Sequence, residues 1–271
     1  MDYSDPNAFT LPYQLTKQVR RDTVLITGVT GGIAKVMAES WVIAGASGVI
    51  ITAVRSMCLR TSPHGSGVSP RPTPRSSLTG PTSPTKPRSR RSSRQPKRRS
   101  PWIWAPIGAV DVKKFFNDFQ VNVLGSYLVT HHFLAQADGV DTVISMTTGA
   151  IAHVFPNMAS YTASKLALVR IMENLHAEQQ GIRVFMLIPG IVMTDMTIDA
   201  LKPYAKDSPG LSASWTLFLS TPRAEWMRGG IVSANWDIEE MEAHKDQIVG
   251  ENLLSRAFLN AKLGKDGHPW T

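Results

Sequence analysis

Tyr161 and Lys165 are the residues of this chain whose types and spacing best suit catalytic chemistry. They lie four positions apart in a stretch that is predicted to be helical, so both side chains project from one face. A phenol titrates near about 10, and a neighbouring ammonium would favour the phenolate and lower that pKa. Tyr161 could then exchange a proton with a substrate oxygen. The alternative is an exposed Tyr and Lys on a solvated helix face.

Polar residues on neighbouring elements favour the catalytic interpretation. Thr148 follows a predicted strand, Asn122 lies on the preceding predicted helix, and Pro189-Gly190 ends the next strand. The Thr148 hydroxyl could donate to a substrate oxygen, although its methyl group restricts χ1 and crowds a pocket. We therefore expect these residues to converge on Tyr161, with an Asn in the protein core as the alternative reading of Asn122.

A glycine-rich turn joins the first predicted strand to the first predicted helix, and reads Thr-Gly-Val-Thr-Gly-Gly-Ile-Ala over residues 27–34. Glycines let a backbone approach a pyrophosphate closely, and a helix N-terminus offers unpaired N–H groups to it. The candidate binding residues are Gly28, Thr30, Gly32 and Ile33. A glycine-rich connection without a ligand is the alternative.

Strands and helices are predicted to alternate along the chain. Helices are expected from near Gly32, over 112–137 with a soft spot at Gly125, and over 159–179. Apolar runs predict buried strands at residues 23–27, 48–53, 142–146, 182–188 and near 230–234. This order predicts an α/β fold with a doubly wound parallel sheet in a single domain.

These motifs resemble the short-chain dehydrogenase/reductase family, whose glycine turn reads Thr-Gly-x-x-x-Gly-x-Gly. The turn matches at Thr27, Gly28 and Gly32, while Ala34 replaces the last glycine. The family's active site of Ser, Tyr, Lys and Asn is matched by the catalytic candidates Tyr161, Lys165 and Asn122, with Thr148 in the Ser position. The resemblance implies a Rossmann-like fold, Tyr161 as acid/base, Lys165 on the nicotinamide ribose, and Asn122 beside a proton-relaying water.

The resemblance also implies a nicotinamide cofactor. No acidic residue follows the second strand to hold the ribose hydroxyls of NAD, whereas Arg55 could pair with the 2′-phosphate of NADP. NADP is therefore favoured and NAD is less favoured, unless Arg55 is simply the first residue of the basic segment that follows. Within a Pro-Gly-x-x-x-Thr motif, Val192 and Thr194 are the residues expected at the nicotinamide carboxamide, alongside Asn122, Tyr161 and Lys165.

Residues 56–100 interrupt the resemblance. They contain 11 Ser, 8 Pro and 9 Arg and no Asp or Glu, a composition that cannot build a core, so we expect this segment to be disordered or aberrant. It stands where family members have a third strand and an Asn-Asn-Ala-Gly strand end. Its length is conventional, which suggests that compensating frameshifts or a mis-assigned exon replaced the normal sequence.

Charge and composition limit the classes of partner that the sequence predicts. The net charge of +8 belongs to residues 56–100, because the remaining 18 basic and 21 acidic residues sum to −3. We therefore expect no nucleic-acid partner. The longest apolar stretch is too short to cross a bilayer, no secretory signal is evident and one cysteine is present, so we expect no membrane partner and a cytoplasmic location. The histidines lack zinc-ligand spacing, which predicts no metal site.

The predicted organisation is an N-terminal extension over 1–20, the Rossmann-fold domain over 21–240 and a C-terminal tail over 241–271. The predicted function is an NADP-dependent oxidoreductase acting on a carbonyl or secondary alcohol of a small metabolite, as a possible homodimer or homotetramer. Residues 233–240 resemble fungal secondary-metabolism members of the family. The alternative is a catalytically silent or damaged relative that acts as a binding or scaffold subunit.

Overall fold

The structure is a computed structural model that describes residues 22–29, 32–52, 104–135, 142–195 and 197–256. The described strands are β1 (Thr23–Thr27), β2 (Gly48–Thr52), β3 (Thr142–Met146), β4 (Arg183–Ile188) and β5 (Ile231–Ser233). The described α-helices are α1 (Gly32–Ile43), α2 (Val112–Phe119), α3 (Gly125–Leu134), α4 (Ala159–Glu178), α5 (Pro209–Leu219), α6 (Ile238–Ala243) and α7 (Lys245–Gly250). The predicted strands and helices occur in the predicted order, and α5, α6 and α7 are additional to the prediction.

The long helix predicted over 112–137 is divided rather than continuous. A π-helical turn over Gln120–Leu124 separates α2 from α3, so the irregularity comes before Gly125 instead of at it. Such turns insert one extra residue into a helix and occur often at functional sites. Here the insertion changes the direction of the side chains that follow α2.

All described strand pairs are parallel, but they form two sheets. One pairs β1 with β2, from Thr23 beside Gly48 to Thr27 beside Thr52, and the other has the order β3-β4-β5. The α/β class with parallel strands and helices on both faces is confirmed. Within the described ranges, however, no strand joins β1 to β3, so the single continuous sheet expected from the sequence is not completed there.

Strand β4 is the centre of the core because it is covered on both faces. Val184 and Met186 pack in one cluster with the apolar face of α4. Phe185 and Leu187, which point the opposite way, pack in a second cluster with α1 and α5. All four side chains are fully buried. Strand β4 thus has helices on both of its faces, as expected for a buried strand of a doubly wound sheet.

Helices α1 and α5 pack directly against each other beside β1 and β4. The indole Nε1 of Trp41 on α1 donates to Thr216 Oγ1 on α5 at 3.1 Å inside this contact. Trp215 and Phe218 of α5 meet edge to face, with ring centroids 5.7 Å apart. The polar bond fixes the register of two otherwise apolar surfaces, since a buried indole N–H without an acceptor is costly.

The first sheet is less well covered than the second. On β2, Ile50 and Ile51 are 51% and 58% exposed, whereas inner strands of a doubly wound sheet are buried on both faces. The expectations for residues 1–20 and 56–100 themselves lie outside the described residues.

In the part of the chain that the structure describes, none of the helices combines the length and apolar character needed to span a membrane.

Removing the acceptor of Trp41 should destabilise the fold. Thr216→Val keeps the side-chain shape but leaves the buried Trp41 N–H without a partner, which should lower the free energy of unfolding by about 1–3 kcal/mol. Urea titration measures this change. Thr221→Val is the matched control, because the Thr221 hydroxyl also bonds a carbonyl three residues earlier but no indole. Equal losses in the two variants would contradict the assigned role of the indole bond.

Candidate active site

Helix α4 positions the two central residues of the candidate site. Its apolar side, formed by Leu168, Val169 and Met172, is buried against β4. That contact leaves Tyr161 and Lys165 on the side that faces the end of β3. The predicted one-face geometry of the pair is therefore realised, and it depends on how α4 is rotated about its own axis.

Tyr161 is hydrogen-bonded to Thr148, the residue predicted from the Ser position. Thr148 caps the short 3₁₀ turn that follows β3, and its hydroxyl oxygen accepts from the N–H of Ala150 at 3.2 Å. The hydrogen bond from Thr148 lowers the pKa of Tyr161, but burial has the larger effect and raises it, and the charge of Asp118 raises it further. The expectation that Lys165 would lower the Tyr161 pKa is wrong for this structure, because burial dominates.

Lys165 directs its ammonium elsewhere. Its Nζ donates to the carbonyl oxygen of Met146, the last residue of β3, at 2.9 Å. Burial lowers the pKa of Lys165 from its ordinary value of 10.5 to about 8. The ammonium is thus held at the end of β3, beside the same loop that carries Thr148, and it titrates close to neutral pH.

Asn122 lies in the π-helical turn and is buried at 7% exposure. Its Nδ2 donates to Ser164 Oγ on α4 at 3.0 Å, and Ser164 Oγ in turn donates to the carbonyl oxygen of Tyr161 at 2.8 Å. Asn122 therefore contacts α4, the helix that carries Tyr161 and Lys165. It does so through a serine to which the sequence analysis gave no role.

The Pro189-Gly190 turn is held by Asp207, another residue without a predicted role. Asp207 accepts from the backbone N–H of Ile191 at 2.6 Å and from Asn235 Nδ2 at 2.8 Å. Gly190 has a φ of +81°, and a Cβ there would lie 2.5 Å from Asp207 Oδ2. Only glycine suits this position, for reasons of both conformation and space.

Thr194 brings the later part of the site to the glycine-rich turn. A Cβ on Gly32, whose φ is +57°, would meet Thr194 Cγ2 at 3.0 Å. Thr197 fixes this segment, because its hydroxyl accepts from the Thr194 N–H at 2.9 Å and donates to the Val192 carbonyl oxygen at 2.9 Å. Thr194 is thus brought next to Gly32, although the two are far apart in the sequence, and Thr197 links Thr194 to Val192.

The remaining predicted residues divide into two groups. Gly28 has a φ of +75° with no atom within 4 Å of the position a Cβ would take, and Ile33 lies in the first turn of α1. Thr30 and Arg55 lie outside the described residues. The described residues include no cluster of side chains suited to a metal ion.

Comparison with known proteins relates part of this chain to one protein family. Residues 104–205 match the family model described as short chain dehydrogenase. Short chain dehydrogenase mpl6 of Monascus purpureus is 30% identical over 164 residues, which cover 58% of this chain and 56% of that protein. Short chain dehydrogenase andI of Emericella variicolor is 28% identical over 158 residues, 56% of this chain and 54% of that protein. The chain spans about half the length of these curated relatives.

Solved structures show the same fold. A short chain dehydrogenase from Salmonella enterica serovar Typhi superposes with a TM-score of 0.58 at 17% identity, covering 80% of this chain and 97% of that one. A second short chain dehydrogenase, from Escherichia coli CFT073 and complexed with NADPH, superposes with a TM-score of 0.58 at 16% identity. It covers 81% of this chain and 99% of that one. The chain is thus an α/β protein with the fold of these structures, and its residues 104–205, which include Asn122, Tyr161 and Lys165, match the short chain dehydrogenase family model.

The described residues fit the nicotinamide and pyrophosphate parts of a dinucleotide cofactor. The space in front of Gly28 is open, and α1 begins beside it at Gly32 with the free N–H groups of a 12-residue helix. Thr194 lies next to this turn, and Thr197 links Thr194 to Val192.

Replacing Gly190 should disrupt the turn that Asp207 holds. Gly190→Ala combines an unfavourable backbone conformation with a clash against Asp207, and should lower the free energy of unfolding by about 1–3 kcal/mol. Gly181→Ala is the matched control, since its φ is not in the left-handed region and no atom lies within 4 Å. Urea titrations of both variants measure the effect, and equal stabilities would contradict it.

Lys165 should make stability increase with pH in the alkaline range. The unfolded chain retains the Lys165 proton up to about pH 10.5, whereas the fold releases it near 8, so raising the pH through this window favours the fold. The expected gain from about pH 8 to 9.5 is roughly 1.5 kcal/mol. Urea titrations at the two pH values should show that Lys165→Met abolishes the gain and that Lys35→Met, at an exposed residue, retains it. An unchanged gain in Lys165→Met would show that Lys165 is not its source.

Proposed function

We propose that this chain is an NADP-dependent oxidoreductase that reduces a carbonyl, or oxidises a secondary alcohol, of a small metabolite. The observation that carries the proposal is the hydrogen bond between Tyr161 and Thr148, made one helical turn from the buried Lys165. An oxygen of a substrate placed against these two hydroxyl groups would have a proton donor and a second hydrogen-bond partner.

The residues have distinct roles in this proposal. Tyr161 transfers the proton to or from the reacting oxygen, and Thr148 orients that oxygen with its hydroxyl. Lys165 holds the ribose of the cofactor from its place at the end of β3. Asn122 maintains the π-helical turn against α4. The bound cofactor supplies or accepts the hydride, and Gly28, Thr30, Gly32, Ile33, Val192 and Thr194 are the residues that would hold it.

The preference for NADP rests on Arg55 and on the lack of an acidic residue after β2. A guanidinium pairs well with a phosphate, whereas NAD selection uses a carboxylate on the ribose hydroxyls. The NADPH complex of the E. coli protein is consistent with this choice for the fold. A secondary-metabolite pathway and a cytoplasmic location complete the proposal, and the Monascus and Emericella relatives support its fungal setting.

The proposal predicts that Tyr161→Phe loses turnover without losing cofactor binding. Removal of the hydroxyl should lower kcat by about 10²- to 10⁴-fold, because the proton donor is lost while the ring remains. The measurements are NADPH fluorescence titration and NADPH oxidation with a panel of ketones and quinones. Tyr127→Phe is the control, since Tyr127 on α3 is 51% exposed. Folded protein that binds neither NADPH nor NADH would defeat the proposal.

A second function, a catalytically silent binding or scaffold subunit, is favoured by one observation. The described strands form two sheets, and β2 exposes Ile50 and Ile51 beside the cofactor turn. A site with an incomplete sheet beside it could bind a partner without supporting hydride transfer. Cofactor binding without turnover of any panel substrate, unchanged by Tyr161→Phe, would select this function over the first.

A further inference from the structure

A buried two-rung hydrogen-bond ladder joins α2 and the π-helical turn to α4. In the first rung, Ser160 Oγ donates to Asp118 Oδ2 at 2.5 Å, and in the second, Asn122 Nδ2 donates to Ser164 Oγ at 3.0 Å. Both rungs join residues 42 positions apart, and the rungs are spaced by four residues on each helix. The ladder therefore follows one line along the contact between the helices.

The ladder lies directly behind the catalytic pair. Ser160 precedes Tyr161 and Ser164 precedes Lys165, so each serine is neighbour to one member of the pair. Asp118 is 1% exposed, Ser160 is 3% exposed and Ser164 is fully buried. A rotation of α4 by one residue, about 100°, would break both rungs and turn both members of the pair away from β3.

We propose that Asp118, which neither the sequence motifs nor the proposed mechanism uses, is a positioning residue for Tyr161, acting through Ser160 and through its negative charge. The proposal rests on the proposed function for its kinetic readout, but its titration readout does not require activity. Burial, the larger effect, raises the pKa of Asp118, and the hydrogen bond from Ser160 lowers it. Asp118 contacts the first turn of α4 through Ser160. It therefore fixes the residue immediately before Tyr161 at the start of the helix.

The charge of Asp118 gives the proposal a signature that packing alone would not produce. Asp118, from α2, raises the pKa of Tyr161, while the Thr148 hydroxyl, from the loop after β3, lowers it. On α4 itself, the Lys165 ammonium is directed to the Met146 carbonyl. His153, in the loop after β3, is exposed and meets Phe155 edge to face. Removing the Asp118 charge should move the titration of Tyr161 to lower pH.

Asp118→Asn tests the proposal, because asparagine keeps the shape and an oxygen that can accept from Ser160. The titration of Tyr161 is followed by NMR of ¹³C-labelled tyrosine, with the Tyr161 signal among the five tyrosines assigned from its loss in Tyr161→Phe. We expect the Tyr161 titration to move to lower pH in Asp118→Asn. We expect Ser160→Ala, which keeps the charge and removes the rung, not to move it in that direction. An unchanged titration in Asp118→Asn overturns the proposal, whether or not the chain is active.

The kinetic test uses the same variants with NADPH and a carbonyl substrate of the wild-type chain. Both Asp118→Asn and Ser160→Ala should lower kcat by about 10- to 100-fold through misplacement of Tyr161, with a much smaller change in the KM for NADPH. Asp111→Asn is the control, since Asp111 is the exposed N-cap of α2 and asparagine also caps helices well. Unchanged kcat in Asp118→Asn overturns the positioning role, whereas inactivity of the wild type defeats only the proposed function.

Discussion

The contact between α4 and the divided helix before it is the constraint on which the candidate site depends. Tyr161 and Lys165 face the end of β3 only while α4 keeps one rotation about its own axis. Apolar packing alone specifies this rotation weakly, because many side-chain arrangements fill a core. The hydrogen bonds of Ser160 to Asp118 and of Ser164 to Asn122 are directional and buried. A shift of α4 would leave these polar groups without partners, so the ladder selects a single arrangement.

The π-helical turn makes this contact possible. Asn122 belongs to the turn over Gln120–Leu124, and the extra residue there sets the direction of its side chain relative to Asp118 on α2. The π-helical turn weakens hydrogen bonding within its own helix, and the two buried hydrogen bonds to α4 offset that cost.

Burial sets the protonation behaviour of Tyr161 and Lys165. It raises the pKa of Tyr161 and lowers that of Lys165 to about 8, so both groups are shifted toward their neutral forms. The sequence spacing correctly predicted that the two residues share a face, but it predicted the wrong direction for the tyrosine. The direction of the Tyr161 pKa shift depends on where the Lys165 ammonium points and on how deeply the phenol is buried. The spacing of the two residues in the sequence reports neither of these.

The sequence alone determined the elements and the chemistry-bearing residues. The bounds of β1 and β3 agree with the prediction, and Tyr161, Thr148, Asn122 and Gly190 lie in the elements expected of them, because hydrophobic periodicity and turn residues act locally. Only the tertiary structure decided the supporting contacts. Asp118 and Asp207 are held to their partners by packing between segments that are distant along the chain, and no local pattern marks such partners. The pairing of the described strands into a β1–β2 sheet and a β3–β4–β5 sheet was likewise decided by the tertiary structure, since a strand's own sequence predicts its burial but not its neighbour.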